Sequence, residues 1–289
     1  MEKNVSLPAK SHGKSIKEVL ERHGFRFSKS LGQNFLVDPN IPEKIVRLSD
    51  IDGSCSVLEI GPGIGALTLP LCRAAGFVTA VELDTALLPI LSEVLSEQSN
   101  VVVVRGDILR LSIAELVNEQ TSGLRRFACA NLPYNITTPA ISALIDSGVF
   151  ESITVMVQRE VARRICAGSA DSDYGAFSVY INYHSMPEIL FDVPPECFMP
   201  RPNVHSSVVK IKMRKEPLLQ AMEEPKFFKV VRAAFGQRRK TLVNALYAVF
   251  GSEIEKNEIA KIVESCGFDA KIRGETLGLE DFIKLSSRF

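Results

Sequence analysis

The chain lacks any apolar run approaching the ~18 residues that a membrane-crossing helix needs. Its opening residues, Met1 to Lys14, are polar and basic and have no apolar stretch of the kind a secretory signal carries. There is no C-x-x-C pair: the six cysteines stand apart as Cys55, Cys72, Cys129, Cys166, Cys197 and Cys266. That spacing argues against a metal site and a disulfide framework, and fits buried free thiols in a reducing cytoplasm. Neither internal repeats nor low-complexity segments interrupt the 289 residues, of which 46% are hydrophobic. Such a chain can bury a large core, and its length suits one large domain with a smaller one.

Net charge is absent too, with 34 basic and 34 acidic side chains, but the balance hides a segregation. Residues 1–30 carry 7 basic and 3 acidic side chains, residues 50–110 carry 3 and 8, and residues 201–240 carry 11 and 3. One acidic stretch between two basic ones predicts two kinds of ligand. The basic segments suit phosphate backbones, although a solvated charged face would look the same.

Short β-branched runs alternate with helical patterns from residue 55 to about 165. Cys55–Ile60, Phe77–Val81, Val101–Val104, Arg126–Ala130 and Ile153–Val157 read as strands. Residues 66–75, 85–96, 113–119, 139–147 and 159–167 read as the helices between them. The alternation predicts right-handed βαβ units and a mostly parallel sheet. Phe177–Tyr183 and Ser206–Met213 read as two further strands, joined by a proline-rich connection and paired antiparallel at one edge. From Pro225 the period is helical, which predicts a small helical C-terminal domain. The expected division is an N-terminal segment with a helix over 1–28, a sheet domain over 29–215 and the helical domain over 216–289.

Glu59-Ile60-Gly61-Pro62-Gly63-Ile64-Gly65 lies where the first strand meets a helix, and its glycines let backbone turn tightly beside a ligand. Gly61, Gly63 and Ala66 also satisfy a dinucleotide fingerprint. Against a pyrophosphate, Pro62 removes an N–H donor and Glu59 adds negative charge. Glu82 and Asp84 end the next strand and Asp107 the one after. Carboxylates at successive strand ends fit a cationic ligand without phosphate, such as S-adenosylmethionine. Glu82 is placed for the ribose hydroxyls and Asp107 for the adenine amine.

Asn131-Leu132-Pro133-Tyr134 follows the fourth strand. The exocyclic amine of a nucleobase is a poor nucleophile, because its lone pair is delocalised into the ring. An Asn side-chain oxygen and the Leu132 carbonyl can accept its two N–H bonds and return density to nitrogen. Pro133 holds Leu132 extended, and Tyr134 offers a flat face to an unstacked base. A plain strand-to-loop turn is the alternative, since Asn and Pro are common turn residues. Ala130 and Thr137 are small neighbours that would leave room for a methyl group.

With these motifs in place, the chain resembles the rRNA adenine N6,N6-dimethyltransferase family over nearly its whole length. The resemblance runs through Lys29-Ser30-Leu31-Gly32-Gln33-Asn34-Phe35-Leu36, the glycine loop, Val81-Glu82-Leu83-Asp84, Gly106-Asp107-Ile108-Leu109 and Asn131-Leu132-Pro133-Tyr134-Asn135-Ile136. It continues in Gln158-Arg159-Glu160-Val161-Ala162, Phe198-Met199-Pro200-Arg201-Pro202-Asn203-Val204 and Phe235-Gly236-Gln237-Arg238-Arg239-Lys240-Thr241-Leu242. It implies an α/β, Rossmann-like S-adenosylmethionine-dependent methyltransferase fold: seven strands, mostly parallel, the last antiparallel, followed by a helical domain. It further implies that Gln33, Asn34 and Leu36 close over the cofactor, and that Glu59, Gly61, Gly63, Glu82, Asp107 and Asn131 form its pocket. The target adenine would be held by Asn131, Leu132, Tyr134 and Phe198. One departure stands out: Gly274 occupies a position where the family pattern suggests proline.

The implied substrate is a pair of adjacent adenosines near the 3′ end of 16S rRNA in the assembling small ribosomal subunit, methylated by a cytoplasmic monomer. Lys210, Lys212, Arg214, Arg232, Arg238, Arg239 and Lys240 are the expected phosphate contacts, three of them beside a helix start where the macrodipole favours anions. Four alternatives stay open: a large-subunit rRNA methylase, a DNA adenine methylase, a non-catalytic assembly factor that binds the cofactor, and, on the glycine loop alone, a NAD-dependent dehydrogenase.

Overall fold

The structure is a computed structural model that describes residues 19, 21–25, 33–118, 121, 123–169 and 171–289. The expected N-terminal segment over 1–28 and the Lys29-Ser30-Leu31-Gly32 part of the first motif therefore lie largely outside the described residues. By contact the chain divides into two compact units. One comprises Met1–Ala162 and Glu188–Met213, the other Arg163–Pro187 and Arg214–Phe289. This differs from the sequential division at residue 215, because residues 163–187 fold with the helices.

The first unit is built on a seven-stranded sheet: β2 (Cys55–Ile60), β3 (Phe77–Glu82), β4 (Val101–Arg105), β5 (Arg125–Asn131), β6 (Ser152–Gln158), β7 (Ser185–Val193) and β9 (Ser206–Met213). Their spatial order is β4-β3-β2-β5-β6-β9-β7. β2 pairs parallel with both β3 and β5, and β6 parallel with β5, while β9 runs antiparallel to β6 with Ser152 opposite Lys212. Helices α1 (Asn40–Leu48), α2 (Thr68–Ala74), α3 (Leu88–Val94), α4 (Ile113–Asn118) and α5 (Thr137–Asp146) fill the connections, and α6 (Arg159–Cys166) follows β6. β2 is buried throughout and β6 nearly so, as expected of strands covered on both faces. The chain steps outward from β2 to β4 and then returns to the far side of β2 as β5. That reversal opens a crevice at the C-terminal ends of the strands, where open α/β sheets bind ligands.

Two readings of the sequence need correction. Phe177–Tyr183 is not a strand but lies in helix α7 (Ala176–His184). Its β-prone side chains are recruited by packing: Val179 and Tyr183, four apart on one helix face, enter the core of the helical unit. The Tyr183 ring stacks on Phe227 at 4.8 Å between centroids. The edge strand is instead β7, inside the proline-rich connection. Pro187 is tolerated there because an edge strand leaves one side of its backbone unpaired. A second, two-stranded sheet was not foreseen. β1 (Phe35–Leu36) pairs antiparallel with β8 (Phe198–Met199), with Leu36 opposite Phe198.

The helical unit adds α8 (Glu224–Gly236), α9 (Leu242–Phe250), α10 (Lys256–Ser265) and α11 (Leu279–Ser286) to α7. They close on a core that includes Phe227, Val231, Leu246, Val263 and Phe282. Thr241 caps α9 by accepting from the Asn244 N–H. All six cysteines are free thiols, five of them buried. None of the described helices is long and apolar enough to cross a membrane.

Gly274, the departure noted above, sits flush against α8. A Cβ there would lie 2.7 Å from the Ala234 Cβ and 2.9 Å from its carbonyl oxygen. Gly274→Pro is expected to destabilise the protein by about 1–3 kcal/mol through overpacking. Thermal denaturation checks this, and an unchanged Tm would show that α8 yields freely.

Candidate active site

A cleft opens at the strand ends, lined by Gln33, Asn34 and Phe35, by Gly61 and Gly63, by Glu82 and Leu83, by Gly106, Asp107 and Ile108, and by Asn131 to Ile136. Each part is fixed by backbone geometry. Gly61 and Gly63 have φ of +67° and +60°, where a side chain is strained. At Gly63 a Cβ would also lie 2.8 Å from the Phe35 ring. The Gly61 N–H donates to the Val81 carbonyl at 2.9 Å and the Gly106 N–H to the Glu82 carbonyl at 3.0 Å, carrying the sheet's order into the loops.

Glu82 is buried at the end of β3 and accepts from the Gly63 N–H at 3.1 Å and the Asp84 N–H at 2.8 Å. Burial pushes its pKa up, and the two N–H donors offset part of that shift. Gln33 donates to Asp84 at 2.6 Å, tying the N-terminal strap to the rim. Asp107 accepts from the Leu109 N–H at 3.0 Å. Among the described residues two carboxylates line the cleft and no Lys, Arg or His does. Leu83, 54% exposed, and Ile108 follow the two acids as apolar plates. Carboxylates for hydroxyl and amine donors, apolar faces for a flat ring and no phosphate cradle fit S-adenosylmethionine and disfavour a dinucleotide.

On the opposite wall the Asn131 Nδ2 donates to the Asn34 carbonyl at 3.1 Å. The amide nitrogen is therefore committed to backbone, and Oδ1 is the atom offered to the cleft. Among the described residues no donor engages Oδ1, nor the Leu132 carbonyl next to it. Pro133 is extended at φ −56° and ψ 131°, and a single 3-10 turn over Tyr134–Ile136 then leads into α5. The Tyr134 hydroxyl is 2.7 Å from Ser206 Oγ on β9, which holds the ring, and burial pushes its pKa up.

Over residues 24–284 the chain matches the family model described as ribosomal RNA adenine dimethylase. The chain belongs to this family. It is 46% identical over 271 residues to the ribosomal RNA small subunit methyltransferase A of Lachnoclostridium phytofermentans, covering 93% of both chains. It is 44% identical over 291 residues to the protein of the same name from Listeria monocytogenes, covering 99% of this chain and 97% of that one. Among solved structures it resembles a dimethyladenosine transferase from Plasmodium falciparum, with a TM-score of 0.74, 24% identity and coverage of 87% and 95%. The 23S rRNA methyltransferase ErmE gives a TM-score of 0.69 at 24% identity, with coverage of 88% and 99%.

Of the site residues expected from sequence, Gln33, Asn34, Gly61, Gly63, Glu82, Asp107, Asn131, Leu132 and Tyr134 come together in the cleft. Three do not line it. Leu36 and Phe198, opposite each other in the β1–β8 pair, are buried, 3% and 4% exposed, in one core cluster. Glu59 is buried on the sheet, 1% exposed, and among the described residues its Oε2 has no hydrogen-bond partner. Ala130 and Thr137 are buried behind the wall, and the Thr137 hydroxyl donates to the Pro133 and Tyr134 carbonyls.

The expected phosphate contacts also divide. Lys210 is buried and ion-paired with Asp50, and it donates to the Leu48 carbonyl, so its role is to clasp α1 to the sheet. Arg214 caps α7 through the Asn182 carbonyl at 3.1 and 3.2 Å. Arg238 meets Glu275 at 3.4 Å. Lys212, Arg232, Arg239 and Lys240 are exposed. Sequence reasoning missed Phe35, Leu83 and Ile108 as cleft residues, although each adjoins a residue it named.

Burial pushes the Glu59 pKa up to about 8, and the neighbouring Glu82 charge adds to the shift. A carboxyl raised on folding stabilises most below its unfolded pKa near 4.5, and that contribution is lost as pH rises towards 8. Glu59→Gln is therefore expected to gain stability relative to the parent between pH 5 and 8 on the order of the titration itself, with S-adenosylmethionine affinity kept. Denaturation across pH with calorimetric binding checks both; a loss of affinity would put the carboxylate on the cofactor.

Proposed function

We propose that this chain transfers methyl groups from S-adenosylmethionine to N6 of two adjacent adenosines near the 3′ end of 16S rRNA, in the assembling small ribosomal subunit, acting as a cytoplasmic monomer. The observation that carries the reading is the pair of unengaged acceptors, Asn131 Oδ1 and the Leu132 carbonyl, on the cleft wall facing the acidic cofactor side. When bound, the cofactor supplies an electrophilic sulfonium methyl. Glu82 and Asp107 would hold its ribose and adenine, and Leu83 and Ile108 would flank the ring.

The two acceptors take the N6 hydrogens and draw the lone pair out of conjugation with the ring, towards the methyl. Tyr134, fixed by Ser206, supports the base face. Transfer forms the N6–C bond as the S–C bond breaks. The methylated, positively charged N6 is strongly acidic and releases its proton to water, so no titrating base is required. One hydrogen remains for the second round and still finds an acceptor. Orientation and electrostatics carry the catalysis.

Asn131→Ala is expected to lower methyl transfer on the order of 10²-fold, as loss of one preorganised polar group does elsewhere, while cofactor affinity changes little. Single-turnover transfer beside calorimetric binding checks the split, and parallel losses would assign Asn131 a structural role.

Arg239 and Lys240, exposed in the turn before α9, are proposed to hold rRNA phosphates. Replacing both with Ala is expected to flatten the salt dependence of subunit binding by roughly 1.4–1.8 in log–log slope. An unchanged slope would remove them from the interface.

A further inference from the structure

Two acceptors on N6 and a ring face on Tyr134 fix a base incompletely. A base held in this way keeps one motion, a swing within its own plane about the amine, and that swing carries the N6–H bonds out of line with their acceptors. After the first methylation one of the two N6 hydrogens is gone and the hold is weaker still. Adenine offers further anchor points beside the amine, since N1 and N7 are both acceptors, so a second anchor must be a donor.

The donors on this wall are almost all committed. The Asn131 Nδ2 serves the Asn34 carbonyl. The Tyr134 hydroxyl is paired with Ser206. Pro133 has no N–H, the Leu132 N–H serves the Met156 carbonyl at 3.2 Å, and the Ile136 N–H serves the Pro133 carbonyl at 3.2 Å. Across the cleft, Gln33 Nε2 is held by Asp84. Among the described residues one side-chain donor on the base wall is unengaged, the carboxamide of Asn135. It lines the cleft, it is exposed, and it sits in the 3-10 turn directly after Tyr134.

We propose that Asn135 is a second base-holding residue, donating from its carboxamide to a ring nitrogen beside the reacting amine and fixing the in-plane angle of the adenine. This rests on the methyl-transfer reading above. Its specific consequence is that Asn135 matters more in the second transfer, when N6 has a single hydrogen left for Asn131 and Leu132.

Asn135→Ala and Asn135→Asp, the latter isosteric but without the N–H, are both expected to slow the second transfer about tenfold, the worth of one hydrogen bond. The first transfer should fall less. Nucleoside analysis should then show monomethyladenosine accumulating, with cofactor affinity unchanged. Particles reassembled with 1-deazaadenosine or 7-deazaadenosine at a target position identify the acceptor: the penalty of Asn135→Ala should vanish on one analogue and persist on the other. Equal slowing of both transfers, an equal penalty on all three bases, an active Asn135→Asp, or weakened cofactor binding would each overturn the proposal. A parent enzyme inactive on unmodified adenosine would overturn the methyl-transfer reading as well; a fully active parent beside undiscriminating variants would overturn only the role of Asn135.

Discussion

An Asn amide can present either its oxygen or its nitrogen to a cleft, and the Asn34 carbonyl decides between them here. By accepting from Asn131 Nδ2 at 3.1 Å, it turns Oδ1 towards the cleft and makes the wall acceptor-only beside the Leu132 carbonyl. Reversed, the amide would offer N–H to an amine that also offers N–H, and the site would repel its substrate. The strap that supplies this carbonyl is held at several points: Gln33 on Asp84, Phe35 against the glycine loop, and Leu36 paired with Phe198. The Asp84 rim, the glycine loop and the Asn131 amide are thus tied to one short segment.

The cleft's charge follows the same economy. Among the described residues Glu82 and Asp107 are the charged groups that line it, and burial pushes the pKa of Glu59 up to about 8. A third ionised carboxylate beside Glu82 would raise the energy of both. The strand ends thereby present two carboxylates to a cationic cofactor, one of which, Asp107, is ion-paired with the exposed Arg110 at 3.4 Å.

Much of this was legible in sequence because the parallel strands are buried and β-branched. Each of β2 to β6 begins and ends within one residue of its expected bounds, and the cleft residues fall at the strand ends. What misled were signals that burial overrides. Phe177–Tyr183 has strand composition, but Val179 and Tyr183 sit one helical turn apart and the helical core claims them. Pro187 hid an edge strand that tolerates it. Counting charge cannot reveal that Lys210 is buried on Asp50, or that Arg214 caps a helix. Phe198 looks like a stacking ring in its motif, yet the β1–β8 pairing that buries it joins segments more than 160 residues apart, a contact without local signature.

The measurement that bears most directly on this account is transfer of labelled methyl from S-adenosylmethionine to undermethylated small ribosomal subunits, with large subunits, naked rRNA and duplex DNA alongside and the products resolved as nucleosides. N6,N6-dimethyladenosine is expected in small subunits alone. Label appearing in large-subunit RNA or DNA, or cofactor binding without transfer to any acceptor, would contradict it.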